Sequence, residues 1–429
     1  MSDVQALFEF IRQSPSPYHA AAASAKLLEA AGFAPLQEHC AWALQPGGRY
    51  YVTRGQSSLI AWVQPTQPGT GWRMTAAHSD SPAFRITGES VRNGCTMLST
   101  EGYGGMIRAS WLDRPLGLAG RVLVRTETGV ESRLVAPDKD AAVMPHLAIH
   151  LDRGVNDGHK YDAKADTQAL FCAGEAAGSY RQLLAAEAGC RPGEILGEDI
   201  QLYCRQPGVC AGADGQLLLC PRLDDLACAW AALEGFMGHG RPGAVFCLFD
   251  NEEVGSGTRQ GALGSFLPDV LAAAGDALGE TAQQRRQAMA ASLLLSADNG
   301  HAIHPSFAQM SDAGHPVRLG GGVVLKFNAN QKYTTTGVTA ALLRAVCRQA
   351  GVPVQEYYNR PDLPGGSTLG NLLSAQVSVP MADIGLPQLA MHSCVETAAA
   401  GDVSALRAAC CAWYAARIAI QADGAYAIG

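Results

Sequence analysis

The sequence predicts an α/β protein: a sheet covered by helices on both faces, interrupted by a second, β-rich region. Three observations predict it. After Pro221, strand-length apolar runs alternate with helical stretches, the pattern of a sheet flanked by helices. Between about Gly88 and Pro221 the texture changes to short β-rich pieces separated by polar, glycine-containing loops. The chain has 429 residues, enough for two or three domains and a large core. Residues 1–88 and 220–429 are therefore read as one discontinuous unit that carries the chemistry-bearing residues, and residues 89–219 as a unit inserted into it.

The elements follow in order. Ser2 to Gly32 reads as two helices broken at Ser14-Pro15-Ser16-Pro17, with Val4, Leu7, Phe8 and Ile11 at helical spacing and Gly32 as a stop. Strand-like runs follow at Arg49–Val52, Leu59–Val63 and Trp72–Ala77, the last ending directly in His78. In the middle block, Arg121–Arg125 and Leu147–Leu151 read as strands and Thr167–Ala186 as a helix. Beyond Pro221 the reading is a helix over Leu226–Met237 and strands at Ala244–Phe249, Ser292–Ala297, Val323–Phe327 and Val352–Tyr358. A helix from Val403 to Ile420 closes the chain.

Composition excludes several functions. Nearly half the residues are hydrophobic and 17% are charged, which argues for a folded rather than a disordered chain. The net charge is −7 and no basic run or stripe occurs, so no nucleic-acid partner is expected. No apolar run reaches the roughly 20 residues that span a bilayer, so no membrane partner is expected. The N-terminal segment lacks a basic stretch followed by an apolar one, so the expected location is cytoplasmic. Thirteen cysteines, none in a C-x-x-C pair, read as reduced and mostly buried thiols, with Cys410 and Cys411 as packing residues.

Four segments share one design, an apolar run ending in a metal-type side chain. Met74–Ala77 leads to His78-Ser79-Asp80, Val245–Phe249 to Asp250-Asn251-Glu252-Glu253, Leu293–Ala297 to Asp298, and Gln388–Met391 to His392. Open α/β sheets bind ligands beyond the carboxyl ends of their strands, so these distant residues can converge on one cleft. Asp224, in Arg222-Leu223-Asp224-Asp225, adds a carboxylate just before a helix. Two histidines and several carboxylates without thiolates form a mixed nitrogen and oxygen set that suits Zn²⁺, and also Mn²⁺ or Co²⁺. Two-metal hydrolytic sites use a bridging carboxylate and an activated water, and a carboxylate free of metal can act as general base. In Glu252-Glu253 one residue can bind metal while the other takes a proton, and Asp80 can hydrogen-bond the far nitrogen of His78. Each piece also has a plainer explanation. His78 alone could be a satisfied core histidine, Glu252-Glu253 a solvated pair, Asp224 a helix cap and Asp298 a turn residue. Their conjunction at strand ends favours a metal site.

At these residues the chain resembles the aspartyl aminopeptidases, a family of cocatalytic dizinc metallopeptidases. The matching segments are Ala77–Pro82, Pro221–Asp224, Asp250–Gly255, Ser296–Asp298, His301-x-x-His304-Pro305 and Gln388–Ser393. Tyr103-Gly104-Gly105, Trp111-x-Asp113-Arg114-Pro115-Leu116 and Ala148–Leu151 extend the match through the middle block. The resemblance implies a mixed sheet flanked by helices, forming a catalytic metallopeptidase domain, with an inserted β-rich dimerisation domain. It implies two zinc ions per subunit, one held by His78 and Asp298, the other by Glu253 and His392, with Asp224 bridging. Glu252 would be the general base and Asp80 would orient His78. It further implies a homo-dodecamer built from dimers, in which His150 reaches a neighbour's active site to bind substrate; a metal-ligand role for His150 is the alternative. Peptides with an N-terminal aspartate or glutamate would be the substrates, with Lys326, Tyr333 and His301 in the substrate pocket and Gly365-Gly366-Ser367-Thr368 lining the cleft. Asn299-Gly300 and Asp225 depart from the residues common in relatives without removing a ligand. A broad-specificity dizinc aminopeptidase, an N-acyl amino acid deacylase and a non-catalytic metal-binding assembly protein remain the alternatives.

Overall fold

The computed structural model describes residues 1–429. Its centre is a nine-stranded mixed sheet. From one edge to the other the strands are Ala34–Leu36, Arg49–Arg54, Ser58–Val63, Ala244–Phe249, Arg73–His78, Leu293–Ala297, Met381–Gly385, Val323–Phe327 and Val354–Tyr358. Four central strands, from Ala244–Phe249 to Met381–Gly385, run parallel. Parallel neighbours end on the same edge, which is why His78, paired opposite Phe249, lies beside the loops that follow Phe249 and Ala297.

Strand side chains alternate between faces, and both faces are covered. Ala244, Phe246 and Leu248 enter a large core with the N-terminal helices Asp3–Arg12 and Pro17–Ala30 and the helices Leu223–His239 and Ala400–Ala415. Val245, Cys247 and Phe249 enter a second core with the helices Phe266–Ala277 and Leu369–Ser374. A fully buried Phe246 implies about 3–5 kcal/mol lost on truncation to alanine.

A separate six-stranded antiparallel sheet draws on residues between Ala83 and Cys204 and has its own core with the helix Ser179–Ala188. The strand Leu217–Cys220 leaves this region and pairs with Glu396–Ala399, beyond His392.

Several elements differ from the sequence reading. Leu147–Leu151 is an exposed irregular segment rather than a strand, with Leu147, Ile149 and Leu151 at 61%, 48% and 73% exposure. Alternating apolar residues imitate a strand here, but no neighbouring strand pairs with them. Thr167–Ala186 splits into the strand Ala169–Cys172 and the helix Ser179–Ala188, separated by a turn in which Gly178 takes φ +81°. The last helix stops at Ala415, and Ile418–Ala422 turns back as a hairpin with Ala425–Ile428. Alanine-rich composition extended the helical reading past this stop. All thirteen cysteines are free thiols. No helix is long and apolar enough to cross a membrane.

Candidate metal and peptide site

The strand edge gathers two overlapping clusters of ligand-type side chains. His78, Asp224, Asp225 and Asp298 form one; Asp224, Glu253 and His392 form the other. His78 is the last residue of its strand, and Asp298 follows its own strand directly. Asp224 does not cap the helix that follows. Arg222 (φ +57°) turns the chain, and Asp224 and Asp225 have non-helical backbone angles that direct their carboxylates into the site. His392 is not carried by a strand: pairing ends at Leu389, and the chain loops through left-handed Ala390 (φ +54°) and His392 (φ +65°).

Each imidazole is aimed by its rear nitrogen. His78 Nδ1 lies 3.0 Å from the Asp80 carbonyl and 3.3 Å from Asp80 Oδ1. His392 Nδ1 donates to the Gly105 carbonyl at 2.7 Å. The front nitrogens then face carboxylates. His78 Nε2 is 3.5 Å from Asp224 Oδ1, and His392 Nε2 is 3.4 Å from both Asp224 Oδ2 and Glu253 Oε1. Around a tetrahedral zinc with bonds of about 2.1 Å, neighbouring ligand atoms stand roughly 3.4 Å apart. Asp224 thus offers one oxygen to each cluster.

The electrostatics are those of a site short of positive charge. Asp224 Oδ1, Asp225 Oδ1 and Glu253 Oε1 are buried with no hydrogen-bond donor. Burial pushes the Glu253 and Asp225 carboxyls well up, helped by Asp224 in both cases and opposed by the histidines. Burial also raises Asp298, against the pull of Lys326. Burial opposes the charged form of His392, but Asp224 and Glu253 outweigh it and lift the ring to about 10. Unpaired buried carboxylate oxygens are costly, and a divalent cation is the species that satisfies several at once. The donor set therefore fits metal ions.

Asp80 anchors the surrounding loop. It accepts from Tyr103 Oη at 2.6 Å and from the backbone N–H groups of Glu252 and Glu253 at 3.2 and 3.1 Å. Those bonds position the short helical turn Glu252–Val254 after left-handed Asn251 (φ +65°). Glu252 is absent from both ligand clusters. Burial lifts its carboxyl to about 8, with Asp298, Asp80 and Asp224 adding and His78 opposing.

Lys326 is buried, and its Nζ donates to the carbonyls of Asp298 and Asn299 at 2.7 and 3.1 Å. It also lies 3.6 Å from Asp298 Oδ1 and 5.2 Å from the Tyr333 ring centroid. His301 packs edge-on to Tyr357, and desolvation with the Lys326 charge lowers its pKa. His150 is exposed and joins neither cluster.

Sequence reasoning missed Glu396. It is buried and accepts from the backbone N–H groups of Asp224 at 3.0 Å and His392 at 2.7 Å, holding both in place. Only its nearness to His392 in sequence could have flagged it. Asn299 binds the Leu223 carbonyl at 2.8 Å and accepts from Leu386 N–H at 3.1 Å, locking three site segments together.

Comparison with known proteins agrees with this geometry. The profile of the aminopeptidase I zinc metalloprotease family, M18, matches residues 10–414. The chain is 41% identical over 426 residues to a probable M18 family aminopeptidase 2 of Pseudomonas aeruginosa, covering 96% of this chain and 97% of that one. Among solved structures, a chain from the cryo-EM structure of the Ape4 and Nbr1 complex superposes with a TM-score of 0.93 at 32% identity, covering 96% of this chain and 85% of that one. The S. cerevisiae mApe1 dodecamer gives 0.82 at 25% identity, over 96% and 97% of the two chains. A match of this extent, over a site whose buried carboxylates call for metal, leads to one conclusion: the chain belongs to the M18 family and is a zinc metallo-aminopeptidase.

Proposed function

We propose that the enzyme removes an N-terminal aspartate or glutamate from peptides, using two zinc ions held by His78 and Asp298, by Glu253 and His392, and by Asp224 between them. The observation that carries this reading is Asp224, whose two oxygens face the two imidazoles at 3.5 and 3.4 Å. When bound, the ions supply Lewis acidity, which acidifies a coordinated water and polarises the peptide carbonyl. Glu252, close to the clusters yet outside both, takes a proton from the attacking water and returns it to the leaving amine. Asp80 fixes the ring of His78, and Glu396 holds the backbones of Asp224 and His392, so the ligand set is organised before substrate arrives.

Acidic selectivity is assigned to Lys326, with Tyr333 and His301 beside it. Lys326 Nζ has three N–H donors, and two are engaged by the carbonyls of Asp298 and Asn299. Asp298 Oδ1 lies 3.6 Å from Nζ, beyond hydrogen-bond distance, and the third donor is assigned to a substrate carboxylate. The inserted region is assigned to dimerisation within a cytoplasmic homo-dodecamer, with His150 of each subunit reaching a neighbour's site. The exposed leucines and isoleucine flanking His150 support that placement, since a contiguous apolar stretch on a surface favours contact with another chain.

The test is hydrolysis of aspartyl, glutamyl and leucyl substrates by purified enzyme before chelation, after it, and with zinc restored. Chelator-sensitive release of acidic residues, abolished in selectivity by Lys326→Met, is the expected result. Equal rates on leucyl and aspartyl substrates would remove the acidic preference and leave the metal chemistry standing.

A further inference from the structure

The strand that ends in His78 begins at Arg73, and at that opposite edge the charge problem is reversed. Arg73 is largely enclosed, with its guanidinium 4.8 Å above the Trp413 ring. Nη2 makes one long bond of 3.4 Å to the Ile418 carbonyl, and Nη1 is buried with no acceptor. No ion pair forms at Arg73, Arg241 or Arg417, although all three line one pocket of about 380 Å³. The lining contains no aspartate or glutamate. Burial with no nearby carboxylate lowers the Arg73 pKa to about 10. Arg54, by contrast, pairs with Glu38 and Asp269.

A buried guanidinium without a counter-ion is costly, so its retention calls for an anion. Three guanidinium groups around one space favour a ligand with more than one negative charge and several acceptor oxygens. Trp72, Tyr414 and Ile418 supply an apolar wall on which an organic body can rest. We propose that this pocket is a binding site for a phosphate-bearing small molecule, on the sheet edge opposite the metal cluster.

Calorimetric titration of the zinc-loaded enzyme with inorganic phosphate, adenosine monophosphate and succinate, at matched ionic strength, tests this. Phosphate can also reach the metals, and that binding is read separately as inhibition of peptide hydrolysis. Wild type is expected to show a second class of site for phosphate and adenosine monophosphate. The surface double variant Arg241→Ala/Arg417→Ala should weaken that class at least tenfold and leave inhibition and basal activity unchanged. Arg73→Met should abolish the phosphate-dependent rise in melting temperature; if it does not fold, the surface variant decides alone. Identical isotherms for wild type and the double variant would overturn the site. Tighter binding of succinate than of either phosphate compound would overturn the ligand class.

Discussion

The two ends of the strand Arg73–His78 meet the same problem with opposite signs. At the His78 end, carboxylates from three separated segments crowd together, and three of their oxygens have no donor. At the Arg73 end, one nitrogen of an enclosed guanidinium lacks an acceptor and two exposed arginines stand nearby. The difference lies in construction. The carboxylate end is fixed from all sides, by Asp80, Glu396 and Asn299, as a site for chemistry must be. The arginine end rests on stacking and one long bond, which suits reversible binding. At each end a ligand of opposite sign would satisfy polar atoms that the chain itself leaves without a partner.

The largest expected effect concerns the carboxylate end. Chelation should abolish peptide hydrolysis and lower the melting temperature by several degrees, because ligands that bind only the folded state stabilise it. Zinc should restore both, and a melting temperature that ignores chelation would break the comparison. Next, Glu252→Gln should reduce kcat by roughly 10²–10⁴ while zinc content, read by atomic absorption, stays at the wild-type level. Loss of metal in that variant would move Glu252 into the ligand set. Tyr103→Phe, which removes the hydroxyl held by Asp80, should weaken zinc affinity about 10–100-fold. An unchanged affinity would show that the backbone donors alone hold Asp80.

The smallest effect sharpens the contrast with a third solution to burial, giving up the charge. His19, hydrogen-bonded to Ser16 Oγ at 2.8 Å, is depressed by burial to about 4. The unfolded chain takes up this proton near pH 6.5, before the folded one does. Stability from neutral His19 is therefore complete above about pH 6.5 and is lost as pH falls toward about 4. It should amount to about 1–2 kcal/mol between about pH 7 and pH 5. Denaturation of His19→Gln at the two pH values should show a flatter dependence than wild type.

Much of this was legible because it is local. The strand-then-ligand pattern at His78 and Asp298 follows from parallel strands ending on one edge, and Ala244–Phe249 was readable from its apolar run alone. His392 fitted the same pattern for a different reason: its loop passes through left-handed Ala390, for which nothing in an alanine's chemistry gives notice. Asn299, and Glu396 through its bond to Asp224, act on backbone groups far away in sequence, so no spacing rule reveals those roles. Leu147–Leu151 misled because alternation reports burial by any partner, and within one chain this segment has none. The Arg73 pocket escaped because its evidence is a missing partner, which exists only once the chain is folded.

Tyr103 ends a strand of the six-stranded sheet and Gly105 follows it, yet one holds Asp80 and the other accepts from the ring of His392. The Ile107 N–H returns a bond to the His392 carbonyl at 3.0 Å. An engineer seeking a minimal enzyme by excising residues 89–219 and joining the ends would keep every proposed ligand and still lose the means of aiming two of them. This region is thus not a detachable module: the stretch from Tyr103 to Ile107 holds the groups that aim two of the proposed ligands.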